Sequence, residues 1–376
     1  MKVIVAPDSF KGSLTAIQAA EAMAAGIHDY DCSIKTVLLP AADGGEGTTS
    51  SLVNATNGKI ISVNVKDPLG RSIQAGYGIL GDGETCVIEI AEASGLMLLD
   101  KSERNPLLAS SFGTGELILH ALDGGFRKFI IGLGGSATND GGTGMLSALG
   151  MRFFDKEGIE LIQGGGALSE LAKIDNAKFD KRISNCHFII ASDVENPFVG
   201  PNGASYVFGP QKGASKEMVK LLDENLQHFA NVVEKLTGNS LHDKEGAGAA
   251  GGAGGAFQAF FPCEMKRGIN VILDAISFDE HIKDADLIIT GEGKTDIQTV
   301  SGKTPFGIAK VAKRQGKPVI LISGALDEES WEYLSPFFTE QHAIADGVIS
   351  PQESMQNAFH YLRVKTRNVI KEYINK

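Results

Sequence analysis

The chain is poor in several things that would announce a specialised class. Its 376 residues include four cysteines, Cys32, Cys86, Cys186 and Cys263, all far apart. There is no C-x-x-C pair, which argues against a zinc ribbon or dithiol redox centre and makes a reduced, cytoplasmic protein the expectation. Positive charge is in deficit, with 35 Lys and Arg against 46 Asp and Glu and a formal net charge of −11. Nucleic acid and anionic membrane surfaces both need a basic face, so neither is an expected partner. A small anion still fits if Lys and Arg cluster locally. No apolar, charge-free window reaches the roughly 18 residues of a membrane span. The opening MKVIVAPDSF has no h-region followed by a small-residue cleavage site, so no secretory signal is expected. The eight histidines form no H-E-x-x-H or similar pair, and there is no G-x-S-x-G elbow. His187 lies in an apolar run and is expected in the core. Acid–base work therefore falls to carboxylates.

What the chain does have is glycine, 46 residues of it, concentrated in a few loops and without the G-X-Y period of collagen. Hydrophobic residues make up 43% and charged residues 22%, enough apolar material for a globular core. Short β-branched runs bounded by Gly, Pro or Asp occur at 3–6, 36–39, 287–290 and 319–322, and read as strands buried on both faces of a parallel sheet. A fifth is expected at 347–350. Thr15 is a plausible N-cap for a helix over 16–27, with further helices expected over 305–315 and 357–374. Between the second and third runs, 60–65, 73–80 and 85–91 read as hairpins. KFIIGL, HFIIAS and INVILDA follow as further strands. The expected fold is therefore α/β with two domains. A discontinuous flavodoxin-like, three-layer domain with a parallel sheet occupies 1–65 and 280–376. A large inserted mixed α/β domain occupies 66–279 and carries the glycine-rich loops. Ligands in such sheets bind beyond the carboxyl ends of the strands, and a cleft between two domains is a usual small-molecule site.

The stretch GLGGSATNDGGTGM, Gly132 to Met145, follows KFIIGL and has six glycines in fourteen residues. Gly132, Gly134 and Ala137 fit a dinucleotide fingerprint, G-x-G-x-x-A, and Asp155 lies near the later acid position. That fold, however, starts its helix by about the third position. Glycines in the first turns of such a helix would each cost about 1 kcal/mol relative to Ala. A long loop with a helix only from about Thr143 is more economical. A second match, GAGAAG at 246–251, has no strand before it and reads equally as close helix packing or a ligand loop. GKT occurs twice, at 293–295 and 302–304, but Ile288 and Ile297 occupy the glycine positions that a Walker A loop requires.

Acids recur after the expected strands: Asp8, Asp43, Asp140, Asp193, Glu292 and Asp296. Each alone reads as a helix cap or Asx-turn. Together at strand C-termini they suggest a site that handles Mg²⁺ and phosphate.

The motifs APDSFKGSL, PAADGGEGT, RNPLLASSFGTGEL, GLGGSATNDGG, ASDVENPFVG, FGPQKGAS, the GAGAAGGAGG loop and ITGEGKTDIQTVSGKTPFGIA run in order along nearly the whole chain. They closely resemble the type 1 glycerate kinases, and none is interrupted. The resemblance implies two α/β domains, ATP and Mg²⁺ as cofactors, and phosphorylation of a hydroxyl of D-glycerate, with position 2 expected. Within those segments, chemistry and loop position suggest the roles. Asp193 would orient or deprotonate the attacking hydroxyl, and Lys11 would neutralise the carboxylate or the moving phosphoryl group. Ser9, Asp43, Glu46 and Asn196 are candidates for substrate, and Asp43 and Asp193 for the metal. Gly134, Gly135, Ser136, Thr138 and Asn139 would cradle phosphate, joined by Glu292, Asp296 and Lys303 in an interdomain cleft. Three other readings stay open: a nicotinamide-dependent hydroxy-acid oxidoreductase, a non-catalytic binding protein for a small acid, and a kinase for another hydroxy acid such as tartronate. A homodimer is compatible with the sequence, but no heptad or apolar stripe marks an interface.

Overall fold

The computed structural model describes residues 1–42, 45, 47–296, 303–345 and 347–376. The chain divides into two compact units, one of Met1–Asp43, Ser50–Gly58 and Ile269–Lys376, the other of Gly44–Thr49 and Lys59–Gly268.

In the first unit, five parallel strands lie in the spatial order Glu340–Ala343, Val319–Ser323, Leu287–Thr290, Lys2–Val5, Lys35–Leu38. Numbered by their succession in the chain, this is the flavodoxin-like order 2-1-3-4-5. Side chains alternate faces along each strand. Val3, Val5, Leu287, Ile289, Ile320 and Ile322 form one core with the helices Ala16–Tyr30 and Ala358–Ile374. Ile4, Ile288 and Leu321, on the other face, are also wholly buried, and the helix Thr304–Arg314 packs on the same strands. Burial on both faces is why these strands read as unbroken apolar runs. The first helix starts where the sequence signals. Thr15 Oγ1 accepts from the Gln18 N–H at 3.2 Å, and Gln18 Oε1 accepts from the Thr15 N–H at 3.0 Å, a capping box.

The second unit holds a mixed six-stranded sheet in the order Cys263–Lys266, His187–Ala191, Lys128–Gly132, Thr85–Glu89, Ser72–Ile79, Lys59–Lys66. The first four strands are mutually parallel and the last two are added antiparallel, as hairpins. Phe129 and Phe188 stack in its core with ring centroids 4.6 Å apart, and Phe261 meets Phe188 edge-on at 5.0 Å.

Five expectations change. The chain passes to the second unit before 59, not at 65, because Lys59–Lys66 pairs with Ser72–Ile79 over all eight residues. It returns at 269, not 280. INVILDA belongs to a helix, Gly268–Ala275, with Ile269 packed against Gly307 of the first unit's helix. A short apolar run cannot distinguish a buried helix from a buried strand. The fifth strand is Glu340–Ala343, not 347–350, where Val348 is 90% exposed. Its sequence EQHA is polar because it is an edge strand, with Glu340 and His342 paired at 2.9 Å. His187 starts its strand at an exposed end, 4.0 Å from Glu264, and is not a core residue.

Gly26 shows how tightly the first unit's helices meet. A Cβ there would enter the Arg363 carbonyl oxygen of the facing helix. Gly26→Ala should therefore destabilise the protein by about 1–3 kcal/mol through overpacking, despite the gain of about 1 kcal/mol in helix propensity. Urea unfolding midpoints of the two proteins measure the difference.

Candidate active site

The loops after the parallel strands of the first unit converge on one cavity of about 320 Å³. The loop after Lys2–Val5 contributes Asp8, Ser9 and Lys11. The loop after Leu287–Thr290 contributes Glu292, Asp296 and, ahead of the helix Thr304–Arg314, Lys303. Doubly wound sheets place their ligands at this end. Asp8 ties the loops together. Its Oδ2 accepts from Thr304 Oγ1 at 2.6 Å, and its Oδ1 accepts from the Ser9 N–H at 2.6 Å. The Asp8 N–H itself donates to the Gly291 carbonyl at 2.8 Å. Glu292 is buried, and its Oε1 accepts from Thr295 Oγ1 at 3.0 Å. Thr295 Oγ1 also meets Ser323 Oγ at 2.6 Å. Lys303 Nζ stands 3.3 Å from Asp296 Oδ1 and 4.0 Å from Glu292 Oε2. Lys11 is exposed at the rim. Five of the sequence candidates, Ser9, Lys11, Glu292, Asp296 and Lys303, thus share one cavity. Asp43 and Glu46 lie outside the described residues.

In the second unit, GLGGSATNDGGTGM leaves the strand Lys128–Gly132 and becomes helical only at Thr143. Gly135, Gly141 and Gly142 have positive φ. No helix begins where a dinucleotide fold needs one, so the nicotinamide reading loses its structural basis. The loop is organised by Asp140, which is fully buried. Its Oδ2 accepts from the Ser111 N–H and Oγ, both at 2.8 Å, and from the Gly144 N–H at 3.2 Å. Its Oδ1 accepts from the Gly142 N–H at 3.0 Å. The GAGAAGGAGG segment packs closely on this loop. The Gly251 carbonyl accepts from the Gly141 N–H at 3.0 Å, and a Cβ on Gly251 would enter the Thr138 carbonyl oxygen.

Ser136, Thr138 and Asn139 are buried, while Gly134 is half-buried and Gly135 exposed. Asn139 Nδ2 donates to Ser205 Oγ at 2.9 Å, whereas Asn139 Oδ1 and Thr138 Oγ1 have no hydrogen-bond partner among the described residues. Beneath the loop lies Lys212, to which the sequence reading assigned no role although it sits in FGPQKGAS. Its Nζ donates to Ser136 Oγ at 2.9 Å and to the Thr138 carbonyl at 2.6 Å. Burial pushes this amine down to about 7, with the nearby Asp140 carboxylate acting the other way. The available signal was a lysine between helix-ending glycines, Gly209 and Gly213, the latter left-handed at φ +93°.

Asp193 lies beyond the strand His187–Ala191 on a second cavity of about 460 Å³, shared with Lys244, Lys266 and Arg267. The carboxylate is exposed, and its Oδ1 accepts from the Gly268 N–H at 3.2 Å. Cys263 lines the same cavity, but burial pushes its thiol up to about 11, too high for a nucleophile at neutral pH. Asn196 is held by its own loop, donating through Nδ2 to the Asn202 carbonyl at 2.8 Å. A further carboxylate, buried Glu89, accepts from the Gly47 and Thr49 N–H groups at 3.1 and 2.5 Å. Burial raises this carboxyl, opposed by those same bonds.

Carboxylates and lysines at the C-terminal ends of parallel strands, a glycine loop that is no dinucleotide loop, and the lack of any paired-histidine or elbow motif define an α/β protein equipped to position anions. The glycerate kinase family model matches residues 3–374. The chain is 48% identical over 369 residues to a glycerate kinase of Bacillus subtilis (strain 168), covering 98% of this chain and 97% of that one. It is 49% identical over 329 residues to a glycerate 2-kinase of Escherichia coli (strain K12), covering 88% and 86%. A crystal structure of a candidate glycerate kinase 2 from Salmonella typhimurium LT2 superposes with a TM-score of 0.89 at 44% identity, covering 100% of this chain and 98% of that one. The chain belongs to the glycerate kinase family. It is a phosphotransferase with an alcohol group as acceptor.

Asp140 should bear most of the loop's order. Asp140→Asn keeps the shape but turns one acceptor oxygen into a donor facing other donors. A loss of about 2–4 kcal/mol is expected from unpaired buried groups, measured by urea unfolding.

Proposed function

We propose that the protein is an ATP-dependent kinase that phosphorylates the 2-hydroxyl of D-glycerate to give 2-phosphoglycerate. The observation that carries this reading is the convergence of Ser9, Lys11, Glu292, Asp296 and Lys303 on one cavity beyond the parallel strands of the first unit. Phosphoryl transfer demands positioning and charge neutralisation more than covalent chemistry, and this is a set of positioning and charged groups. The relatives' names, glycerate kinase and glycerate 2-kinase, support the acceptor and the position.

In this reading Lys11, exposed at the cavity rim, meets the acceptor carboxylate or the moving phosphoryl group. Ser9 orients the acceptor, together with Asn196 and the segment containing Asp43 and Glu46. Asp193 takes the proton of the attacking hydroxyl. Its exposed carboxylate is accessible to substrate, and the Gly268 N–H fixes its orientation. Gly134, Gly135, Ser136, Thr138 and Asn139 receive phosphate, as do Glu292, Asp296 and Lys303 once Mg²⁺ or the lysine offsets the acids. The donor chemistry suits Mg²⁺. The described residues contain no group of three or more acidic, His or Cys ligands. Mg²⁺, however, usually takes one or two carboxylates and completes its shell with phosphates and water. Asp193 and Asp43 would hold it, and the ion would neutralise charge on the phosphates. The enzyme of this reading is cytoplasmic.

Phosphorus NMR of the product of ATP and D-glycerate, compared with 2- and 3-phosphoglycerate standards, tests the reading. The 2-phosphate is expected. The 3-phosphate would overturn the regiochemistry, and no phosphorylated acid would overturn the function. Lys11→Ala and Asp193→Asn, both at exposed positions, should fold normally and each lower kcat/KM by at least about 100-fold, or about 2.7 kcal/mol of transition-state stabilisation. A folded variant with near wild-type kinetics would remove that residue from the mechanism.

A further inference from the structure

We propose that Lys212 is the counter-charge of an anion site on the Gly134–Gly135–Ser136 turn, acting through Ser136 as a positioning residue, and that the anion binds together with a proton. The geometry has three parts. First, among the described residues no backbone group accepts a hydrogen bond from the N–H of Gly134 or Gly135, while the Ser136 N–H closes the turn toward the Leu133 carbonyl. The neighbouring positions are used. The Ala137 N–H donates to the Ser94 carbonyl, and the Gly135 carbonyl accepts from the Leu96 N–H, both at 2.8 Å. The turn is therefore pinned along one side, with the two successive N–H donors of Gly134 and Gly135 left over. Gly135 is left-handed at φ +75°, as the third residue of a tight turn requires, and the turn presents the Gly134 and Gly135 N–H groups. Second, the turn reaches the surface at Gly134 and Gly135. Third, among the described residues the only side chain bonded to Ser136 Oγ is that of Lys212, a residue 2% exposed.

A buried ammonium with two oxygen acceptors and one carboxylate nearby is an expensive way to brace a loop, since a methionine would fill the space without desolvating a charge. As a counter-charge it has a use. It keeps Ser136 Oγ as an acceptor toward the lysine, so that the hydroxyl proton points outward to the anion. The charged groups around it are Asp140 on the glycine loop and Arg104, whose backbone lies against Gly213. Asp140 is already engaged by four donors, so it neutralises Lys212 only in part.

The lowered pKa of the free amine, about 7, sets the direction of the pH effect. Near pH 8 the amine is mostly neutral in the free protein. An anion on the turn favours the charged form, so binding takes up a proton. Affinity then falls as pH rises above about 7, by up to about tenfold per pH unit. The ligand class is a phosphate or a carboxylate. Which of the two it is rests on the kinase reading.

Calorimetry of the full-length protein at pH 8, in two buffers of different ionisation enthalpy, with MgATP and separately with D-glycerate, tests this. Neither ligand titrates appreciably there, so uptake approaching one proton with one of them is expected, and that ligand identifies the anion. Lys212→Arg, whose guanidinium stays charged, should bind that ligand without proton uptake. Lys212→Met should weaken its binding at least tenfold at pH 7 and remove the pH dependence. Binding of both ligands without uptake, or uptake unchanged in Lys212→Arg, overturns the proposal. The kinase reading fails separately, by absence of phosphorylated glycerate. Inorganic phosphate then replaces both ligands, and if it too fails to bind, or binds without proton uptake, the proposal falls.

Discussion

The buried carboxylate of Asp140 is the constraint on which the glycine loop depends. Four hydrogen bonds converge on its two oxygens, from Ser111, Gly142 and Gly144. A loop with so many glycines loses more entropy on ordering than an ordinary one. Bonds to a charged acceptor, each stronger than a neutral one, offset that cost. The carboxylate also lies close enough to Lys212 to favour its charged form. The GAGAAGGAGG segment completes the arrangement from outside, since only residues without Cβ let it approach Thr138 and Gly141. The 140–144 part of the loop is thus satisfied by Asp140, whereas the N–H groups of Gly134 and Gly135 meet no acceptor among the backbone groups of the described residues.

The first unit uses a related device with less burial. Asp8 joins the loop after the first strand to the start of the helix Thr304–Arg314, and Glu292, Thr295 and Ser323 link the next two strand ends. The parallel order 2-1-3-4-5 brings these loops side by side although the chain between them is long. Positive and negative side chains then meet in one cavity, with Lys303 facing Glu292 and Asp296. Such pairing holds the lysine near the acids.

Much of this could be read from the residues. Central strands such as VIVA and LIIT are buried on both faces and so announce themselves, and Thr15 with Gln18 marks a helix start by local chemistry alone. The clustering of Ser9, Lys11, Glu292, Asp296 and Lys303 followed from placing their loops at the carboxyl ends of one sheet. The misread segments are those in which neighbours override local pattern. EQHA is a strand because it pairs at an edge, not because of its composition, and INVILDA is a helix because it packs on Gly307. His187 is exposed because it starts its strand, which an apolar flank does not reveal. Lys212 was invisible for a deeper reason. A lysine is expected at a surface, and only the fold shows that 74 residues of separation from Thr138 close to a hydrogen bond.

Amide hydrogen exchange resolved at individual residues of the glycine loop, with and without MgATP and D-glycerate, tests the account most directly. The N–H groups of Gly142 and Gly144 already donate to Asp140 and should be slow in the free protein and little changed by ligand. Those of Gly134 and Gly135 should be fast in the free protein and slowed when one of the two ligands binds. Bound ligand with no protection at Gly134 and Gly135 would contradict the account.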